Sequence, residues 1–123
     1  MHGIHVSTVN LSSSDPRALG RFYAALLSME IRTDEPEWVV LAGGGSVPLA
    51  FELDQHYEPP VWPSEPGRSP TQSHLEIQVD DLDAALAHAL ECGARLAEHQ
   101  PQDDVRVCLD PAGHPFCLWL GED

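Results

Sequence analysis

The feature that most constrains this chain is a repeat. Asp15-Pro16-Arg17-Ala18 starts a segment whose Leu19, Phe22, Tyr23 and Leu26 recur at helical spacing. Asp15 is placed to accept from the first free amides, and Pro16 stands where a missing N–H is harmless. Asp81, 66 residues later, opens a second such segment, in which Leu82, Leu86, Ala89 and Leu90 share one face and Gly93 supplies a left-handed stop. A chain that carries the same capped helix twice is expected to fold as two similar units.

The flanks repeat as well. Ile4 to Ser13 holds Val6, Val9 and Leu11 among small polar residues and reads as a strand. Glu30 to Thr33, Trp38 to Leu41 and Pro48 to Leu53 are short, rich in β-formers and separated by turn residues. Pro59, Pro60, Pro63, Pro66 and Pro70 then interrupt the pattern. It restarts where Leu75, Ile77 and Val79 alternate with Glu76, Gln78 and Asp80, and after the second helix come Arg95 to Ala97, Val105 to Leu109 and Phe116 to Leu120. The expected fold class is α+β, with two β-α-β-β-β modules. Module one covers 1–54, a linker covers 55–72 and module two covers 73–123, together one domain 1–123. Tyr57 and Trp62 in the linker serve either as packing anchors or as a lid. Aligned on the caps, Thr8 falls opposite His74, and Phe51-Glu52-Leu53 falls on Phe116-Cys117-Leu118 at an offset of 65. Two such units predict a curved mixed sheet around a ligand-sized cleft.

Charge narrows the partners. Six Lys+Arg against 20 Asp+Glu give a formal net charge of −14, which leaves no cationic footprint for DNA or RNA and disfavours anionic membranes. No apolar run approaches the roughly 20 residues that span a bilayer. The N-terminal MHGIHVSTV lacks the basic-then-apolar pattern of a secretory signal, and Cys92, Cys108 and Cys117 form no CxxC pair. A soluble, cytoplasmic protein with a small-molecule partner is expected, without a disulfide framework or zinc knuckle. Most of the acids read as solvated surface, whereas acids lining a cleft would draw in cationic ligands.

With VNLSSSDPRALGRFYAALL, SHLEIQVDDLDAAL and DPAGHPFCLWL in this order, the chain resembles the vicinal oxygen chelate superfamily, and within it the glyoxalase-like proteins (the glyoxalase/bleomycin resistance protein/dioxygenase family). The resemblance spans essentially the whole chain. It implies paired β-α-β-β-β modules, commonly in a homodimer. The activities it brings are glyoxalase I, extradiol dioxygenases, epimerases, fosfomycin-modifying transferases and bleomycin-binding proteins that sequester a drug without chemistry. Its metal-using members place ligands on four strands, and carried onto this chain those points are Thr8, Glu52, His74 and Cys117. Thr8 is a poor neutral ligand and Cys117 puts a soft thiolate where a hard carboxylate stands. The expected cofactor is therefore none, with weak divalent metal binding at Glu52 and His74 as the only metal option. The first helix also ends in LLSME where the family commonly has LLG, so either Ser28 takes a left-handed cap at some cost or the helix ends differently.

Strand alternation assigns faces. The reading puts Thr8, Asn10, Glu52, His74, Glu76, Gln78, Arg106, Cys108, Cys117 and Trp119 toward the cleft, with Trp38, Val40 and Trp119 as apolar walls. Glu52 and His74 are the candidate catalytic residues, a carboxylate to accept a proton and an imidazole to relay it. The plainer alternative is a hydrogen-bonded polar pair in a ligand cavity. Thr8, Trp38, Arg106, Cys117 and Trp119 are the candidate ligand-binding residues. Cys117 would be a nucleophile only if His74 or Arg106 activated it, and is otherwise a buried wall. Arg106 would hold a substrate carboxylate or pair internally. Two functions remain open: a small-molecule-binding protein with lyase or isomerase chemistry, and a metal-free drug-sequestering protein in which Trp38, Trp62 and Trp119 stack a planar ligand.

Overall fold

A computed structural model describes residues 2–121. The chain divides after Tyr57 into two units. The first unit contains β1 (Val9–Ser13), α1 (Pro16–Leu27), β2 (Glu30–Glu35), β3 (Trp38–Ala42) and β4 (Leu49–Leu53). The second contains β5 (Leu75–Val79), α2 (Leu82–Cys92), β6 (Arg95–Leu96), β7 (Val105–Leu109) and β8 (Pro115–Leu120). Each unit forms a four-stranded mixed sheet, ordered β1-β4-β3-β2 and β5-β8-β7-β6, with one parallel pair and two antiparallel ones. This is the α+β architecture of two similar modules that the repeat predicts.

The caps behave as their residue types require. Asp15 accepts from the Ala18 amide at 3.1 Å and Asp81 from the Ala84 amide at 3.0 Å. α1 ends at Ser28 with φ 54° and ψ 45°, the left-handed one of the two endings left open by the missing glycine, and its N–H donates to Ala24 O. A side chain at that conformation costs about 1 kcal/mol.

In the first unit the helix face of the sheet carries Val39, Leu41, Leu49 and Phe51, all buried, beneath Leu19, Phe22 and Tyr23 of α1. Tyr23 stacks on Phe51 with ring centroids 5.7 Å apart and an interplanar angle of 9°. Gly20 lets the helix settle this closely, since a Cβ there would lie 2.6 Å from Val39 Cγ1. In the second unit α2 buries only Ala89 fully, above a sheet face that includes Phe116, Leu118 and Cys108. That unit adds a cluster on the opposite sheet face, where Ala97, Val107 and Cys117 are covered by Trp62, Val105 and Leu109.

Three expectations are corrected. First, the opening strand begins at Val9 rather than Ile4. The Val9 amide donates to Pro48 O at 3.0 Å, and beyond Pro48, which has no N–H to return, the ladder has no partner. Ile4 and Val6 stand 73% and 74% exposed, and Thr8 lies before the strand. Second, the repeat offset in the last strand of each unit is 67, not 65. Ser13 pairs with Leu53 and Val79 with Leu120, so Glu52 corresponds to Trp119 and Ala50 to Cys117. Alternation fixes which face a residue takes but is unchanged by a slip of two, and both strands repeat an apolar residue at every second position.

Third, Arg106 and Cys108 occupy the helix side of the second sheet, opposite Leu118 and Phe116, whereas Val105 and Val107 share a face with Trp119 and Cys117. The sequence reading matched the polar members of β7 with those of β8, but the pairing register matches the valines with Cys117 instead. The Arg106 guanidinium donates to the backbone oxygens of Asp103 at 2.8 Å and Val105 at 3.0 Å.

Candidate functional site

The parallel register of β5 and β8 sets Glu76 directly opposite Cys117, and the antiparallel register of β8 and β7 sets Cys117 opposite Val107. His74 precedes Glu76 by two residues and shares its side of the chain. His74 Nε2 lies 2.7 Å from Glu76 Oε1, and both side chains are solvent-accessible, 37% and 54% exposed. Cys117 is 9% exposed. Burial, the charge of Glu76 and the hydrogen bond its carboxylate accepts from the thiol push Cys117 up to about 11. One carboxylate therefore receives both an imidazole and a thiol. The nitrogen, the carboxylate oxygen and the sulfur lie within 4.8 Å of one another.

This polar trio borders the apolar cluster of Ala97, Val107, Trp62, Val105 and Leu109. Trp62 is tied down by its own ring N–H, which donates to His99 O at 3.3 Å, and its ring lies 6.0 Å from the His99 ring. Gln100 fastens the same region. Its amide group donates to Ala97 O at 2.7 Å and Val107 O at 2.9 Å, and its oxygen accepts from the Val107 amide at 2.9 Å. Beneath β8, the wholly buried Asp110 accepts from the Ala112 and His114 amides, at 2.9 Å and 3.0 Å, and so fixes the turn that delivers Cys117.

The arrangement can hold and move a proton between His74 and Glu76. It cannot present Cys117 as a nucleophile at neutral pH, because a thiol raised to about 11 stays protonated. The remaining candidates from the sequence fall as follows. Trp119 lies on the face of Cys117, between Gln78 and Val105. Glu52 belongs to the first unit, where it stands between Ser12 and Trp38 in the ladder and accepts from Ser12 Oγ at 3.4 Å. Trp38 is its neighbour there, and the Thr8 hydroxyl donates to Ser7 Oγ at 3.4 Å. Arg106 lies on the helix side of its sheet.

Sequence reasoning placed Glu76 on the correct face but gave it no role. The His-x-Glu spacing on an alternating strand was the available signal. For Trp62 and Gln100 no local signal exists, since both act from loops.

A family model for the glyoxalase-like domain matches residues 8–119. The chain belongs to the glyoxalase-like domain family. Solved structures agree on the fold. A glyoxalase/bleomycin resistance protein/dioxygenase family enzyme from Burkholderia phytofirmans is 20% identical with a TM-score of 0.70, covering 93% of this chain and 96% of that one. An antibiotic-binding protein from a Streptomyces species is 22% identical, TM-score 0.62, with 99% of each chain covered. A fosfomycin resistance protein from Mesorhizobium loti is 13% identical, TM-score 0.66, covering 99% and 95%. A search of curated proteins gives no significant match.

Among the described residues, no helix of this glyoxalase-like domain is long and apolar enough to cross a membrane. The four-point metal set that the resemblance implies does not fit these residues. Its Thr8 offers an exposed hydroxyl already turned to Ser7, and its Cys117 is a thiol already given to Glu76. In the second unit the group that lies between the two carried-over points is Glu76, which is not one of them.

Proposed function

We propose that this glyoxalase-like domain binds a small organic molecule on the open sheet face of its second unit. The apolar part of the ligand lies against the Trp62, Val105 and Leu109 side chains, and a hydrogen-bonding group meets the His74–Glu76 pair. The observation that carries this reading is the 2.7 Å pair standing beside an apolar patch on a rigid sheet. Binding sites combine a broad apolar wall with a few directed polar groups in this way. The neighbours described as an antibiotic-binding protein and a fosfomycin resistance protein support an antibiotic-like ligand. The Glu76 carboxylate on that face favours a cationic group at the ligand's polar end.

A second reading, lyase or isomerase chemistry, is favoured by the same pair, because a carboxylate in contact with an imidazole can shuttle a proton.

Titration of the chelator-treated protein with bleomycin, fosfomycin and planar cationic dyes, followed by tryptophan fluorescence, tests the proposal. At least one probe is expected to quench saturably at one equivalent per chain, with affinity reduced about tenfold or more in Glu76→Gln, the scale of one lost charge-assisted hydrogen bond. No saturable binding by any probe, or binding indifferent to both Glu76→Gln and Trp62→Ala, would contradict it. If turnover of a ligand is found, His74→Gln separates the readings, since loss of turnover with retained binding marks catalysis.

A further inference from the structure

We infer that the proline-rich loop from Glu58 to Pro70 forms a second binding site, for a small zwitterion of the kind that a free amino acid with an apolar side chain presents. The loop borders a cavity of about 320 Å³, lined by Glu58, Pro59 and Val61 from one limb and by Gly67, Arg68 and Ser69 from the other. That volume falls at the lower end of the roughly 300–1,000 Å³ of small-molecule sites. The limbs are joined where the Val61 amide donates to Ser69 O at 2.8 Å, beside a parallel bridge between Val61 and Pro70. The first limb sits on the turn before β8, so closely that a Cβ on Gly113 would lie 2.8 Å from the Pro59 Cβ. Pro59, Pro60, Pro63, Pro66 and Pro70 each fix φ. A loop so constrained keeps its cavity open without a ligand, and little order is left to impose on binding.

The charged groups on this lining are short of partners. The Glu58 carboxylate accepts one long hydrogen bond, from Ser69 Oγ at 3.4 Å. The Arg68 guanidinium stands 3.7 Å from Glu65 Oε2, beyond hydrogen-bond reach. Among the described residues neither side chain has another polar partner. An acceptor on one limb and a fork of donors on the other match the ammonium and the carboxylate of a single zwitterion. Pro59 and Val61 supply an apolar wall for its side chain. A simple anion is opposed by Glu58 and Glu65, and a simple cation by Arg68. The lining shares no residue with the His74–Glu76 face, so the two sites stand or fall separately.

The test is L-leucine added to the isotope-labelled chain and followed by amide NMR. The Gly67 and Ser69 amide signals are expected to shift along a single-site curve, with a dissociation constant of about 1 mM, the scale of two partly exposed charge-assisted hydrogen bonds. Isocaproate, which lacks the ammonium, and isoamylamine, which lacks the carboxylate, provide a check free of variants, and each should bind about tenfold more weakly or worse. Glu58→Gln and Arg68→Gln should each weaken L-leucine by a similar factor, with the signals of the sheet strands unmoved to show that the variants fold. Glu76→Gln should leave the affinity unchanged. No saturable shift over the range in which a millimolar site fills, half-ligands that bind as well as L-leucine, affinity retained in both Glu58→Gln and Arg68→Gln, or affinity lost in Glu76→Gln would each overturn the inference.

Discussion

The two units use one ladder and fill it differently. Tyr23 stacks on Phe51 in the first, whereas 66 and 67 residues on the second has Ala89 and Leu118. The rungs that hold Val40 and Ala50 in the first hold Val107 and Cys117 in the second. Asn10 becomes Glu76, and Trp119 takes the place of Glu52. The first unit thus concentrates its large side chains between helix and sheet. The second has a lighter helix face, and it places a polar trio and a tryptophan-covered apolar cluster on the other side. A repeated scaffold lets one unit hold a dense core while the other keeps polar groups on a sheet face, because the backbone pairing that both need is independent of what the outward positions carry.

The sharpest way to break this contrast is to empty equivalent core positions. Phe51→Ala is expected to destabilise the protein by about 3–5 kcal/mol, and its counterpart Leu118→Ala, which removes fewer carbons and no stacked ring, by about 2–3 kcal/mol. Urea unfolding followed by circular dichroism measures both, and equal losses would erase the asymmetry. Gly20→Ala drives a methyl into Val39 and is expected to cost about 1–3 kcal/mol, with Val39→Ala on the same chain recovering part of it. Additive losses in that double-mutant cycle would mean the helix is not seated on Val39.

A smaller effect belongs to the second unit alone. Cys117 and Cys108 are raised from 9.0 to about 11, Cys117 by burial and then Glu76, Cys108 by burial and then Cys117. Between those pH values the folded state holds thiol protons that the unfolded chain releases. The contribution is therefore complete below about pH 9 and is lost as pH rises toward 11. Unfolding free energies from pH 8 to 11 should fall, and fall less steeply in Glu76→Gln. A flat profile in the wild type would contradict the Cys117–Glu76 contact. The smallest change expected is Ser28→Gly, a gain of about 1 kcal/mol from relief of the left-handed serine, read as a raised urea midpoint.

Much of the fold was legible because its signals are local. Asp15, Pro16, Asp81 and Gly93 announce helix ends through backbone chemistry that acts within a few residues. The missing glycine left two endings open for α1, and the structure takes the left-handed Ser28. Strand faces were legible within each strand, but pairing between strands was not. The offset of Glu52 and the side taken by Arg106 both depend on register, which alternation leaves undetermined by steps of two. The site was half legible for the same reason. The faces of His74, Cys117 and Trp119 follow from parity, and the family resemblance singled out His74 and Cys117. The role of Glu76 required knowing that Cys117 is the residue opposite it, and Trp62 and Gln100 reach the face through loops whose path no periodicity records.

The central claim, that the polar chemistry of this chain is organised around Glu76 in the second unit, is tested most directly by the ring-nitrogen NMR signals of His74. They are expected to shift when Glu76 is changed to Gln, because Nε2 loses the carboxylate 2.7 Å away, and to stay in place when Glu52 is changed to Gln. A His74 ring that responds to Glu52→Gln and ignores Glu76→Gln would contradict the account.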